Sequence, residues 1–395
     1  MVKNQYITES LIKIDEIQKS IAKSEDLINY IGYSDGILGF SLFYYYEYLY
    51  SAKEKSLQTA VYYLEQSMSK LDENYKSPNP QIEIIEIGLY LMFLYKKGIL
   101  SDDILDYLDD LDDVIEANLL KKIDEGDLGY TAGLLKVGYY FVKRENNNRN
   151  HLLHKILDRI ENLSLFEGDL RYWKFYFRNP KNPYVELGLG HGVAGVVSFL
   201  LHLFKAGIET ERCELLLNSS IAFLLSQNNK SGVNWFPVNA FENDSYQYHN
   251  LSYGDIGIGY TLYKAGQILK NKNYCKEALL ILENAAYFRD EDREYIRDAN
   301  LVYGASGLYI VFNLLYDLTQ SDKILCARDY WYNKILEFGN ETDSTDSAGY
   351  NTYFNGIYDY AQLGFSQGIA GIGMALMAQE IKIDNDYLSF LNYDL

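Results

Sequence analysis

The residue types best suited to chemistry in this chain stand immediately ahead of recurring glycine pairs. GLGHGVAG (188–195) places His191 there, and LSYGDIGIGY (251–260) places Ser252 and Tyr253 there, with Asp255 inside the motif. LVYGASG (301–307) offers Val302 and Tyr303, and GFSQGIAG (364–371) offers Ser366 and Gln367. Asp127 is the candidate of GDLGYTAG (126–133), and His249 lies three residues before Ser252. An imidazole titrates near neutrality and serves as a general base. A phenol donates to a developing oxyanion. Plainer roles compete: Tyr253 and Tyr303 suit packing, and Asp255, in the first turn of its helix, suits capping or the helix dipole. His151 and His154 read as surface or packing groups, and His202 as core.

These motifs open apolar segments at 33–49, 83–95, 126–141, 188–203, 251–266, 301–315 and 364–378. Five of the seven carry Gly-x-x-Gly before a mostly apolar run; the second and third carry it poorly. First glycines at 192, 254, 304 and 368 are separated by steps of 62, 50 and 64 residues. Periods of that size mark a repeated supersecondary unit. Between them lie amphipathic stretches (56–71, 151–163, 214–227, 274–288) with apolar residues at i, i+3, i+4 and i+7. Segments apolar all round belong inside, and one-faced segments outside. The expected fold is all-α, an α/α toroid of seven inner and seven outer helices forming a single domain over 1–395. A linear helical solenoid is the competing arrangement. The first glycine is expected to take a positive φ and the second to admit a close neighbour. The first amides of the inner helices are expected to face a central cavity.

Composition narrows the function. A formal charge of −19 argues against a nucleic-acid partner, which needs a basic face. No apolar run is long enough for a membrane span. The start, MVKNQYITES, lacks a signal core, so a cytoplasmic protein is expected. Cys213, Cys275 and Cys326 stand far apart and read as small core residues of a reducing compartment.

In their order along the chain these motifs resemble those of the lanthionine synthetase C-like family. HGVAG (191–195) parallels the family's H-G-x-A-G, LSYGDIG (251–257) its W-C-Y-G-x-x-G, and VYGASG (302–307) its C-H-G-x-x-G. QGIAG (367–371) parallels a terminal G-x-x-G, and SGVNWFP (231–237) an N-W-P stretch. The resemblance implies a seven-fold toroid and, in its cyclases, a zinc held by two cysteines and one histidine that activates a peptide thiol. This chain has Ser252, Val302 and Tyr303 at those three places, a poor donor set for zinc, so no metal and no cofactor are expected. His191 stands where the family has an acid/base histidine, Tyr253 keeps a family tyrosine, Asp127 parallels a family aspartate, and Tyr248 replaces an arginine. The expectation is a lanthipeptide cyclase acting without zinc, adding cysteine thiols to dehydroalanine or dehydrobutyrine. His191, Tyr253, Tyr303 and Asp127 are its catalytic candidates, and Ser252, Asp255 and His249 its substrate-binding ones. The expected partners are a ribosomally made precursor peptide and a dehydratase or other modifying enzyme. The alternative is a non-catalytic peptide-binding or assembly subunit. A glycan-processing enzyme on the same scaffold is a third reading, weakened by the shortage of paired carboxylates.

Overall fold

The computed structural model describes residues 2–72, 74–176, 181, 183–241, 248–341, 345–353, 363–381 and 386–395. Helices follow one another along the chain: α1 (Val2–Ser24), α2 (Ile37–Ser51), α3 (Glu54–Ser69), α4 (Pro80–Lys96) and α5 (Ile104–Glu125). Then come α6 (Leu134–Arg144), α7 (Asn150–Asn162), α8 (Val193–Lys205), α9 (Thr210–Ser226) and α10 (Asp255–Ile268). The series closes with α11 (Lys272–Ala285), α12 (Ala305–Thr319), α13 (Asp322–Phe338), α14 (Ile369–Met377) and the short α15 (Asp386–Phe390). A small antiparallel hairpin, β1 (Leu165–Glu167) with β2 (Leu170–Tyr172), is the one sheet among the described residues.

Contacts sort the chain into two compact units. One holds 1–87 and 289–384; the other holds 88–288 and 385–395. In the first unit α12, α14 and α2 pack in succession, with α13, α1 and α3 behind them. In the second, α6, α8 and α10 pack in succession, with α5, α7, α9 and α11 behind. The inner helices are the apolar segments of the sequence. α8 (VAGVVSFLLHLFK) is buried without interruption from Val193 to Leu203. Its partner α9 buries one face, through Cys213, Leu216, Leu217, Ile221 and Leu224. These contacts place six inner and seven outer helices among the described residues, and α4, apolar and buried through Ile85, Ile87, Tyr90 and Leu91, is the seventh of the inner kind.

The turns that launch α2, α6, α8 and α12 are built the same way. The residue after the first glycine donates its N–H to a carbonyl seven residues back: Ile37 to Tyr30 (2.9 Å), Leu134 to Asp127 (2.7 Å), Val193 to Glu186 (2.9 Å) and Ala305 to Asp298 (3.1 Å). A helix leaves its first N–H groups without intrahelical partners, and here the loop absorbs them. At these four helices the first amide, expected to face a cavity, is spent inside the turn. Glycine's role also differs from expectation. Among the first glycines of the motifs only Gly254 has a positive φ, at 89°. Gly36, Gly133, Gly192, Gly304 and Gly368 are extended, and crowding is what selects glycine there. A Cβ on Gly192 would lie 2.5 Å from the Glu186 carbonyl oxygen.

Segment α4, which lacks the signature, contributes carboxylates instead. Glu83 accepts from the N–H groups of Ile31 and Gly32, and Glu86 from that of Ser34, within the first unit. Burial and these two neighbours push Asp35, just ahead of Gly36, up to about 7. Of the three cysteines, only Cys213 is the buried core residue expected, its thiol pushed up to about 12 by burial; Cys275 is half-buried and Cys326 exposed. No described helix is long and apolar enough to cross a membrane.

The second glycine of each pair gives the test. On Gly257 a Cβ would sit 2.0 Å from the Leu251 carbonyl oxygen, whereas on Gly98 it would meet nothing within 4 Å. Gly257→Ala should lower stability by about 3 kcal/mol in urea unfolding, as overpacking against rigid backbone does. Gly98→Ala, with only its positive φ of 72° to oppose it, should cost about 1 kcal/mol. Equal losses would show that crowding is not what selects the glycine.

Candidate functional site

In the second unit the loops entering α6, α8 and α10 bring together most of the candidates. The Gly190 N–H donates to the Ser252 carbonyl at 2.9 Å, tying the α8 loop to the α10 loop. A Cβ on Gly190 would lie 3.2 Å from the Ser252 Cβ, so the two loops run at backbone contact. His191 and Tyr253 consequently face each other with ring centroids 5.9 Å apart. Both side chains are nearly buried, each 6% exposed. Tyr248 lies 5.1 Å from Tyr253 ring to ring.

Each remaining candidate has a definite place. The Thr131 hydroxyl, from the α6 loop, stands 3.3 Å from His191 Nδ1 and 3.2 Å from Nε2. Asp127 serves its own loop instead: its Oδ1 accepts from the Gly129 N–H at 3.0 Å, an Asx turn that shapes the loop carrying Thr131. Asp298, in the first unit, makes the same bond to the Asn300 N–H at 2.9 Å. His249 is buried against Phe288, ring centroids 4.1 Å apart. Ser252 is buried, its Oγ 2.9 Å from the Tyr393 hydroxyl. Tyr303 opens α12 in the first unit, and its N–H donates to Asn300 Oδ1 at 2.7 Å. Among the described residues, no three His, Cys, Asp or Glu side chains gather as a metal ion would require.

Asp255 is neither a helix cap nor turned toward His191. Its carboxylate accepts from the N–H groups of Trp235 (2.7 Å) and Phe236 (3.1 Å), clasping the NWF stretch to the start of α10. Burial pushes it up to about 7 against the opposing pull of those two donors. His202, inside α8, is pushed down to about 3 by burial and is neutral at physiological pH.

Two features escaped the sequence reading. Thr131 has no motif of its own. The other left a signal: NLSYG (250–254) and NLVYG (300–304) repeat, and in both the asparagine Oδ1 accepts from the tyrosine N–H, at 2.9 and 2.7 Å. That asparagine sets the backbone direction of the residue ahead of the glycine.

Asp255 also yields a pH dependence. Its folded carboxyl titrates above the unfolded value of 3.8, so folding favours the protonated form; that contribution is complete below about pH 4 and lost as pH rises through about 7. Asp255→Asn cannot ionise. The stability of the natural chain relative to this variant, from urea unfolding, should fall between pH 4.5 and 7.5, by at most about 1.4 kcal/mol per pH unit. A difference flat with pH would refute the assignment.

No curated protein sequence matches significantly. Among solved structures, nisin cyclase matches with a TM-score of 0.70 at 20% identity, covering 96% of this chain and 98% of that one. A sugar epimerase from a ruminal bacterium matches with a TM-score of 0.44 at 14% identity, covering 94% and 99%. The nisin cyclase match shows the fold, the α/α toroid class expected from the repeat. The family model described as lanthionine synthetase C-like protein matches residues 29–394. With ordered glycine motifs, helical hairpins and this match over nearly its whole length, the chain belongs to the lanthionine synthetase C-like family.

Proposed function

We propose that the protein acts on a ribosomally made, dehydrated precursor peptide, joining cysteine thiols to dehydroalanine or dehydrobutyrine as thioethers without zinc. The observation that carries this reading is the His191–Tyr253 pair, a base and a donor with rings 5.9 Å apart on two loops held in register. Family membership and the nisin cyclase fold support the reaction class. The residues at the family's metal positions do not suit zinc. Ser252 already shares its hydroxyl with Tyr393, Val302 has no lone pair to give, and Tyr303 is a phenol. Thiol activation then falls to His191.

The steps balance without a co-reactant. His191 takes the proton from the peptide thiol, and the thiolate sulfur bonds to the β-carbon of the dehydroamino acid. The Cα–Cβ π pair moves to form an enolate, whose oxygen receives a hydrogen bond from the Tyr253 hydroxyl. The imidazolium returns its proton to the α-carbon. Thr131 orients the imidazole, and Asp127 shapes the loop bearing Thr131. His249 and Asp255 hold the neighbourhood of Tyr253 in place, and Tyr303 occupies the corresponding position of the sixth segment. The dehydrated residues must come from a dehydratase acting beforehand.

A second reading, a peptide-docking subunit, is favoured by the near-complete burial of His191 and Tyr253. One experiment separates the two. The dehydrated peptide is incubated with the protein, with and without a chelator; remaining thiols are alkylated and adducts counted by mass spectrometry. The cyclase reading expects thiol loss faster than in the blank, indifferent to chelator, and reduced 10²-fold or more in His191→Ala. Thiols persisting as in the blank while the peptide binds would establish docking instead.

A further inference from the structure

Residues 388–395 pack among the inner helices of the second unit, and a series of buried polar side chains is directed at them. Tyr130 donates to the Asn392 carbonyl at 2.6 Å, and Lys136 to Asn392 Oδ1 at 3.0 Å. Tyr139 donates to Asp394 Oδ1 at 2.5 Å, Lys143 pairs with Asp394, and Tyr260 donates to the Tyr393 carbonyl at 2.7 Å. Phe390 lies on Phe93 with centroids 5.0 Å apart, and the Tyr393 ring stacks on Tyr130 at 6.1 Å. These contacts hold the segment by its main chain, its ring faces and its other side chains. The Tyr393 hydroxyl does something different: it meets Ser252 Oγ at 2.9 Å, and both residues are buried.

We propose that Tyr393 is a positioning residue for the His191–Tyr253 pair, acting through Ser252; this rests on the cyclase reading given above. Ser252 immediately precedes Tyr253, and its carbonyl accepts the Gly190 N–H, immediately before His191. Fixing Ser252 from behind fixes both loops at once. The place where the family has its first metal-binding cysteine is thus held by a pair of hydroxyls. A hydrogen bond between neutral hydroxyls in a buried site contributes modestly to stability but fixes direction sharply.

The test pairs Tyr393→Phe with Tyr260→Phe. Each deletes one buried hydroxyl from the contacts of the same segment, but only the first touches Ser252. Hydrogen exchange at the Gly190 amide and the His191 ring-proton NMR signal, shifted by the Tyr253 ring, report loop register without requiring catalysis. The chain has only five histidines, which keeps that spectrum simple. Tyr393→Phe should speed Gly190 exchange about tenfold and move the His191 signal, while Tyr260→Phe leaves both unchanged at a comparable loss of Tm. Where the natural chain forms thioethers, Tyr393→Phe should also slow them about tenfold with peptide affinity unchanged. Should Tyr393→Phe fail to fold, Ser252→Ala removes the same bond from the other side, with the same result expected at Gly190 and His191. Unchanged signals in these variants, or equal changes in Tyr260→Phe, would overturn the proposal. If the signals move but the natural chain forms no thioether, the positioning role stands and the cyclase reading falls.

Discussion

The structure depends on one constraint: the first turn of an inner helix begins in the interior, where its free N–H groups have no water to bond. Leaving such a donor unpaired costs about 1–3 kcal/mol. At α2, α6, α8 and α12 the chain solves this by curling the preceding seven residues back over the helix start, so that a loop carbonyl meets the first of those donors. The curl is so tight that neither glycine of the motif has room for a side chain. What looks like a sequence signature is the footprint of crowding at these turns, joined at α2, α6, α8 and α12 by a shared hydrogen-bonding solution. The residue just ahead of the first glycine stands at the crest of each curl, and His191, Tyr253 and Tyr303 occupy that crest.

Repeating the device leaves the crest residues free to vary. In the second unit, backbone contact between the α8 and α10 loops brings two crests within ring-contact distance. The supporting groups are polar: an asparagine setting Tyr253, an Asx turn beneath Thr131, and a carboxylate clasping the NWF stretch. Chemistry at the crest can therefore change without disturbing the turn that carries it.

The helical alternation and the seven-fold count were legible because burial imposes them on every repeat. A helix apolar on all sides, such as 193–203, reads directly from composition. The torsional role given to the first glycine was legible only for Gly254, because crowding and positive φ select the same residue and a sequence does not distinguish them. Asp255 was assigned to its own helix end, but its partners lie 20 and 19 residues upstream, at Trp235 and Phe236. Tyr393 was invisible for the same reason on a larger scale: its contact with Ser252 spans 141 residues and leaves no local pattern. NLSYG and NLVYG, by contrast, were open to sequence reading, since the repeat lies in plain view fifty residues apart.

The packing of residues 388–395 among earlier helices sets the order in which the protein can mature. Tyr130 and its acceptor at Asn392 are separated by 262 residues. At a synthesis rate of about 5–20 residues per second, roughly 13–50 s pass between the appearance of the two on the ribosome. During that interval Tyr130, Lys136, Tyr139 and Tyr260 have no partner from the closing segment, and burying them dry is unfavourable. Residues 289–384 of the first unit are made within that interval. The contacts of residues 388–395, among them the Tyr393–Ser252 bond beside the loops of His191 and Tyr253, can form only once that last stretch has been made.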